Sequence, residues 1–514
     1  MKRQHQNSLT AKAAHQCING IFTVGLVLLI LTAISILQPI YAQNSLTISL
    51  NGQPIIFGET APVVWKGRTL VPFRRLAEAI GVDVDWQEET QRITATADGV
   101  ELVMTVGTRM AVFNGSGREM NAAPQILEGR AFIPLRDFSE SFGVQVDYQD
   151  GHIAMTYEPI LHSVNGKLSG FYALGAGDRS SWNELFGETY PQVSADPWAR
   201  LFSQVHLGWY EMNEAGELIT NGAVHGFRRP SGYEQVLAEL ENRNIDRTMM
   251  IFAQESQGML AELLSNAGQR AALVETIFSE LQSEAFTGVN LDIEGLGLQQ
   301  HSDQARQARS GYTAFVTELA EQIGSRYRLV VTVPPVNSAY LGYDYAQLGK
   351  LADEMVVMAY DYHDRQQPSA TAPITLVESG IRQLVELVPS EKITLGVRLP
   401  AVRYTARPQT QDVEDGELLT RTWQITHPYL HSVYELMHQR SLPELWDHTA
   451  KVSYLQFMDE QGNENVIYME SERSLTEKWK LVQRYQLSGV ALWRFGAVPD
   501  FVYQQLESVF DQHQ

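Results

Sequence analysis

The sequence predicts an α/β protein: a (β/α)8 TIM barrel with a small inserted α+β subdomain, preceded by a small repeated α/β stalk-like module. Three observations lead there. After Pro159, eight short apolar segments alternate with amphipathic helical stretches. Two segments near the N-terminus repeat each other at a constant spacing, and the stretch from Leu399 to about Trp479 is longer than one crossover needs. At 514 residues the chain also exceeds what a single ordinary core accommodates.

The chain begins with Lys2, Arg3 and Lys12 ahead of an apolar run from about Ile21 to Leu37, and Ala42 in PIYAQN is a small residue suited to cleavage. Residues 1–43 therefore read as an export signal. The run also approaches the ~20 residues that span a bilayer, so an uncleaved anchor is the alternative. On either reading the rest of the protein is expected to be exported, extracellular or at the cell surface. The single cysteine, Cys17, falls in this segment and can make no internal disulfide.

Residues 44–159 carry the repeat. GRTLVPFRRLAEAIGVDVDW (Gly67 to Trp86) aligns with GRAFIPLRDFSESFGVQVDY (Gly129 to Tyr148) at an offset of 62 throughout. Each copy reads as a short strand, a Pro-started helix, a Gly stop and an alternating strand. Neither copy holds the His, Cys and carboxylate cluster of a metal site, so structural packing is the favoured role.

The barrel is expected over 160–514, with its insertion at about 400–479. Its strands are read at Leu168 to Leu174, Phe202 to Tyr210, Thr248 to Gln254, Gly288 to Glu294, Arg328 to Pro335, Glu354 to His363, Lys392 to Leu399 and Gly489 to Gly496. Leu273, Ile277 and Leu281 fall at helical spacing before the fourth strand, and Tyr312, Phe315, Val316, Leu319 and Ile323 do so after it. The insertion contains strand-like KVSYLQFM and NVIYMES. With 39 Lys plus Arg against 60 Asp plus Glu, a net charge of −21 repels nucleic acid and anionic lipid, so neither is an expected partner; the only membrane contact expected is through the N-terminal segment.

The stretch GVNLDIEGLG places Asn290, Asp292 and Glu294 on one strand face and Val289, Leu291 and Ile293 on the other. Carboxylates are costly inside a barrel except at its open mouth, and Glu294 is the last residue before the Gly-Leu-Gly turn. Two carboxylates two residues apart raise each other's affinity for protons, which suits Glu294 as a proton donor with Asp292 as its partner. A lone Asp-x-Glu is ordinarily a solvated strand end. Here MAYDYH adds Met358 and Tyr360 on one face with Asp361 at the exit, ALWRFG adds Trp493, and Phe171 and Tyr172 follow Gly170. Rings to stack on and polar edges to orient a ligand are what a sugar site requires. His206, His363 and Arg494 also lie near strand ends, where structural roles are at least as fitting.

These residues resemble glycoside hydrolase family 18, the chitinase-like barrels, over Leu168 to Phe510. Of the fourth-strand pattern D-x-x-D-x-D-x-E, Asp292 and Glu294 match while Thr287 and Asn290 do not; M-x-Y-D matches as Met358, Tyr360 and Asp361, and the eighth-strand tryptophan as Trp493. The resemblance implies a retaining, substrate-assisted hydrolysis without metal or organic cofactor, in which the substrate's N-acetyl group is the nucleophile. Glu294 would donate the proton and later activate water, Asp292 would hold the acetamido nitrogen, and Tyr360 its carbonyl. Asp361, Met358, Trp493, Tyr172, Phe171 and Asn290 would contact the sugar, Trp493 as its floor. Asn290 removes a carboxyl that could exchange a proton with Asp292. GVNLDIEGL together with the C-terminal YMESERSLTEKWKLVQRYQLSGVALWRFG is similar to the bacterial spore-germination and cortex-lytic branch, which implies an N-acetylated polysaccharide substrate, peptidoglycan over chitin. A non-catalytic chitinase-like glycan-binding protein is the alternative. Residues Leu46 to Pro159 resemble the stalk-like copper amine oxidase N-terminal domain, a name that implies no copper chemistry.

Overall fold

A computed structural model of the chain describes residues 46–510 except 51, 58–59, 98–99, 150, 157–163, 165, 174–180, 299–301 and 407–421. The expected export signal and Cys17 lie outside the described residues.

Eight parallel strands close into a barrel: β1 (Lys167–Tyr172), β2 (Gln204–Met212), β3 (Asp246–Gln254), β4 (Gly288–Glu294), β5 (Arg328–Val333), β6 (Glu354–Val357), β7 (Ile393–Arg398) and β8 (Gly489–Trp493). Closure comes from β1, which pairs with both β2 and β8. The outward Val289, Leu291 and Ile293 join Leu273, Ile277 and Leu281 of helix Ala267–Ser283 in one buried cluster. The same cluster takes in Tyr312, Phe315, Val316, Leu319 and Ile323 of helix Ser302–Ile323. Excluding this apolar surface from water is the main force holding helices to barrel. The helix Ala267–Ser283 starts where the Asn266 side chain accepts the Gly268 and Gln269 N–H groups.

The inward residues combine an apolar cluster, Phe171, Met250, Phe252, Val330, Val356 and Ala491, with buried polar pairs. Glu354 is bound by Arg328 at 2.9 Å and by the Thr394 hydroxyl at 2.6 Å. Several strands end before the expected residue, β5 at Val333 and β8 at Trp493, and β6 falls furthest short. β6 ends at Val357 instead of running to His363, because the Ala359 and Tyr360 N–H groups turn back onto the Val357 and Met358 carbonyls and the ladder cannot continue.

Between β7 and β8 lies an antiparallel five-stranded sheet in the order Trp423–Thr426, Val402–Ala406, Glu464–Met469, Val452–Met458, Leu445–Asp447. One of its faces (Leu455, Phe457, Ile467, Met469) packs into the main core with helix Leu430–Arg440.

The N-terminal module has its own core. Its two repeats meet through their equivalent strands, Arg68–Pro72 and Arg130–Pro134, which pair antiparallel about Val71 and Ile133, with Leu70 opposite Pro134 and Pro72 opposite Phe132. A duplication in sequence has thus become a local two-fold in space. Strand Thr47–Leu50 runs parallel to His152–Thr156 and ties the ends of the module together. The module touches the insertion: Lys451 Nζ lies 3.1 Å from both Asp83 oxygens, and the Arg473 guanidinium donates to the Glu78 carbonyl.

Candidate active site

The strand period carries Asn290, Asp292 and Glu294 up the barrel axis on β4. Asn290 is fully buried, its Oδ1 accepting the Thr332 hydroxyl at 2.8 Å. Asp292 is buried above it, and among the described residues its Oδ1 has no hydrogen-bond partner. Glu294, half-buried at the mouth, ends the strand. Its backbone is fixed by the Glu255 N–H on the Glu294 carbonyl at 2.9 Å and the Tyr343 hydroxyl on the Ile293 carbonyl at 2.7 Å.

The turn that follows depends on glycine. Gly297 has φ +74°, and a Cβ there would stand 2.4 Å from the Gly342 nitrogen. Gly297→Ala is therefore expected to destabilise the fold by roughly 1–3 kcal/mol. Urea unfolding checks this, and an unchanged midpoint would refute the close approach.

Burial, and then the charge of Asp361, raise the Glu294 carboxyl to about 7. Burial and Glu294 push Asp292 well above the usual carboxylate range. The two titrate as a pair, so at neutral pH a proton resides on a carboxyl that would be ionised in water. The Tyr360 hydroxyl is raised by burial and then by Asp292, Glu294 and Asp361, which keeps it a hydrogen-bond donor. Room for its ring comes from Gly396 on β7, where a Cβ would sit 3.2 Å from the ring and 2.8 Å from the Val357 carbonyl. Asp361 adopts φ +62°, a left-handed conformation that aspartate is among the few residues to tolerate. Its carboxylate accepts Arg398 Nη1 at 3.1 Å, with His363 Nδ1 4.0 Å away.

Trp493 closes the floor, half-buried at the end of β8. Phe171 meets it edge-on at 5.1 Å and is itself buried against the His206 ring at 4.7 Å, so Phe171 supports the tryptophan from beneath. Phe171, sealed beneath the tryptophan, is thus one of three expected sugar contacts that are not brought to the mouth, with Tyr172 and Asn290. Tyr172, one residue on from Phe171, points to the opposite face and is buried edge-on against Trp209 at 5.8 Å in the outer layer. Asn290 sits below Asp292 with its carbonyl already engaged. Met358 is half-buried beside Tyr360. His206 is a barrel-interior residue bound to Thr248 Oγ1 at 2.7 Å, its pKa lowered to about 3 by burial and then by Arg328. Arg494 braces the loops, donating to the Ala173 carbonyl at 2.9 Å and the Tyr429 hydroxyl at 3.0 Å.

Sequence reasoning missed a wall of the site. In NGAVHGFRRP, Phe227 stacks on Phe252 at 4.7 Å and faces Trp493 at 6.2 Å, while His225 meets Phe252 edge-on at 5.0 Å. The loop is held by Glu211 at the end of β2, a fully buried carboxylate that accepts the Val224, His225 and Phe227 N–H groups at 2.9, 2.7 and 2.8 Å. The loop itself has no periodicity; the acidic residue closing an otherwise apolar strand was the available signal. Tyr340 was also missed; burial raises its hydroxyl, followed by the charges of Glu294 and Asp361. Among the described residues no group of three or more His, Cys, Asp or Glu could hold a metal ion.

A protonated carboxyl at the mouth, an acceptor beneath it, a phenol donor and an aromatic floor together can protonate an ether oxygen while orienting a ring with polar edges. Residues 190–497 match the model of glycosyl hydrolases family 18, and residues 49–156 match the copper amine oxidase N-terminal domain. The cortical fragment-lytic enzyme of Bacillus cereus is 22% identical over 285 residues, 54% of this chain and 59% of that protein. The chain spans about half to two-thirds of the length of such relatives. The spore cortex-lytic enzyme SleL of Bacillus megaterium shares the fold with a TM-score of 0.55 at 18% identity, covering 74% of this chain and 82% of that one. A chitinase from Chromobacterium violaceum does so with a TM-score of 0.54 at 19% identity, covering 66% and 98%.

Proposed function

The chain belongs to glycosyl hydrolases family 18, and from that premise we propose that it is an exported glycosidase cleaving β-1,4 bonds of an N-acetylhexosamine polymer by retaining, substrate-assisted catalysis. The observation that carries this reading is the Glu294 carboxyl, held at about 7 at the end of β4 above buried Asp292. Glu294 protonates the leaving oxygen as the substrate's own acetamido oxygen attacks the anomeric carbon, and then takes a proton from the incoming water. Asp292 receives the acetamido N–H, Tyr360 donates to the acetamido oxygen, Asp361 positions the sugar and Trp493 lies under its apolar face.

Peptidoglycan is favoured over chitin because the cortical fragment-lytic relative aligns through more of this chain than the human di-N-acetylchitobiase does, 54% against 44%. Export is supported by Lys2, Arg3 and Lys12 ahead of the apolar run ending near Leu37.

The test is release of reducing ends by residues 45–514 from peptidoglycan and chitin oligosaccharides, with the Glu294→Gln protein as blank. Cleavage above the blank supports the hydrolase and ranks its substrates; binding without cleavage on both would replace it with a glycan-binding protein.

A pH dependence follows with its sign. The acid must be protonated, so kcat/KM is expected to fall as pH rises through about 7, where Glu294 loses its proton. Asp361→Asn removes a charge that raises Glu294 and leaves Arg398 uncompensated, both of which favour ionisation. Its alkaline limb should move to lower pH. A limb that stays in place would show that Asp361 does not act on the acid.

A further inference from the structure

The face of the insertion's sheet that turns away from the core holds a cavity of about 480 Å³ that shares no residue with the carboxylate site. Strand alternation builds it: Leu455, Phe457 and Ile467 enter the core, so Tyr454, Gln456, Val466 and Tyr468 face the other way. Tyr454 and Tyr468 stack at 5.4 Å and 29°. Trp423 flanks them, packed edge-on at 6.1 Å against Tyr404, whose hydroxyl is tied to the Asp364 carbonyl at 2.6 Å. Trp446 lines the cavity under the Arg473 guanidinium, 3.7 Å above its ring.

The rings therefore belong to a firm scaffold. Polar edges accompany them: Gln456 Nε2 donates to Glu464 Oε1 at 3.0 Å, and Asp447 and His448 complete one side. Trp446 Nε1 and His448 Nε2 are buried yet have no hydrogen-bond partner among the described residues, so two ring nitrogens of the lining have unused capacity. The N-terminal module secures this side, with Asp83 3.7 Å from His448 and 3.1 Å from Lys451.

We propose that this groove is a second glycan site, which holds the sugar rings of one stretch of N-acetylated polymer while another stretch occupies the catalytic mouth; this rests on the function proposed above. Ring faces beside amide, carboxylate and imidazole edges match a pyranose, which is apolar on its faces and hydroxylated around its rim. Asp447 and Glu464 in the lining, on a chain of net charge −21, suit the uncharged sugar rings of the polymer over any anionic groups along it. The groove also borders the reaction site along one loop, which begins at Asp361 and supplies Pro368 to the cavity wall.

The experiment uses Tyr454→Ala and Trp423→Ala, each made both in the active protein and in Glu294→Gln. In the Glu294→Gln background, co-sedimentation with insoluble peptidoglycan and with chitin is expected to weaken about tenfold. Trp423→Phe, which keeps a ring, should retain most of the binding. In the active background, turnover of a short soluble N-acetylated oligosaccharide should stay within about twofold of the parent. That result also reports an intact fold.

Binding to both polymers as tight as the parent's would overturn the proposal, and so would loss of soluble-substrate turnover in step with loss of binding. If the parent cleaves nothing yet sediments in a Tyr454-dependent manner, the groove stands and the hydrolase reading falls. If the parent cleaves and the variants sediment equally well, the reverse holds.

Discussion

Glu294→Gln is expected to lower turnover by about two to four orders of magnitude on any substrate the protein cleaves, with the fold left in place. Glutamine matches glutamate in shape and keeps one acceptor oxygen, but its amide cannot deliver a proton to a leaving alkoxide. The same substitution has a calculable sign for stability. The carboxyl is raised from 4.5 to about 7 on folding, so the native protein binds the proton more tightly than the unfolded chain. The burial cost of Glu294 is therefore absent below about 4.5, grows as pH rises, and is complete above about 7. Glutamine does not titrate, so at pH 8 the variant should unfold at a temperature no lower than the parent's. Parallel thermal melts and rate measurements check both halves. A rate equal to the parent's would remove Glu294 from the role of acid, and a lowered melting temperature at pH 8 would contradict the cost of burying its charge beside Asp361.

Tyr360→Phe is expected to lower turnover on N-acetylated substrates by on the order of a hundredfold, the range seen when a single donor to a developing charge is removed. Its ring is seated against Gly396, so removing one hydroxyl disturbs little packing. The hydroxyl is held protonated by burial and by three nearby carboxylates, so it has a proton to donate to an incoming acceptor. If that acceptor is the acetamido oxygen, the loss should be larger for fully N-acetylated than for partially deacetylated oligosaccharides. Equal slowing of both would place the hydroxyl elsewhere in the reaction.

Much of the barrel was legible because most strands are short runs rich in apolar residues bounded by turns, and the helices between them repeat at 3.6 residues. The carboxylate strand was legible for the same reason: GVNLDIE sorts its side chains by parity alone, and the glycines after Glu294 announce the mouth. Parity failed at Phe171 and Tyr172, because neighbours on a strand must face opposite ways and sequence does not say which aromatic belongs to the lumen. Register decides, since β1 pairs Phe171 with His206 on β2 and turns Tyr172 toward Trp209. The reading of β6 ran too far because MAYDYH continues an alternating pattern while the backbone after Val357 turns on its own carbonyls. His225 and Phe227 were invisible because a loop has no period, and their position depends on Glu211 on β2, which only barrel closure through β1 brings near Trp493 on β8.

By itself, then, the sequence determined the order and kind of elements, the duplication of the N-terminal module and the strand that carries Asp292 and Glu294, since all of these follow from local pattern. Only the tertiary structure decided which rings converge with those carboxylates, that Asn290 is sealed beneath them, and that Glu294 retains a proton near neutrality. Those outcomes depend on burial and on the charge of Asp361, which the pairing of β6 with β7 holds against Arg398, and no local periodicity encodes the distance between residues that far apart in the chain.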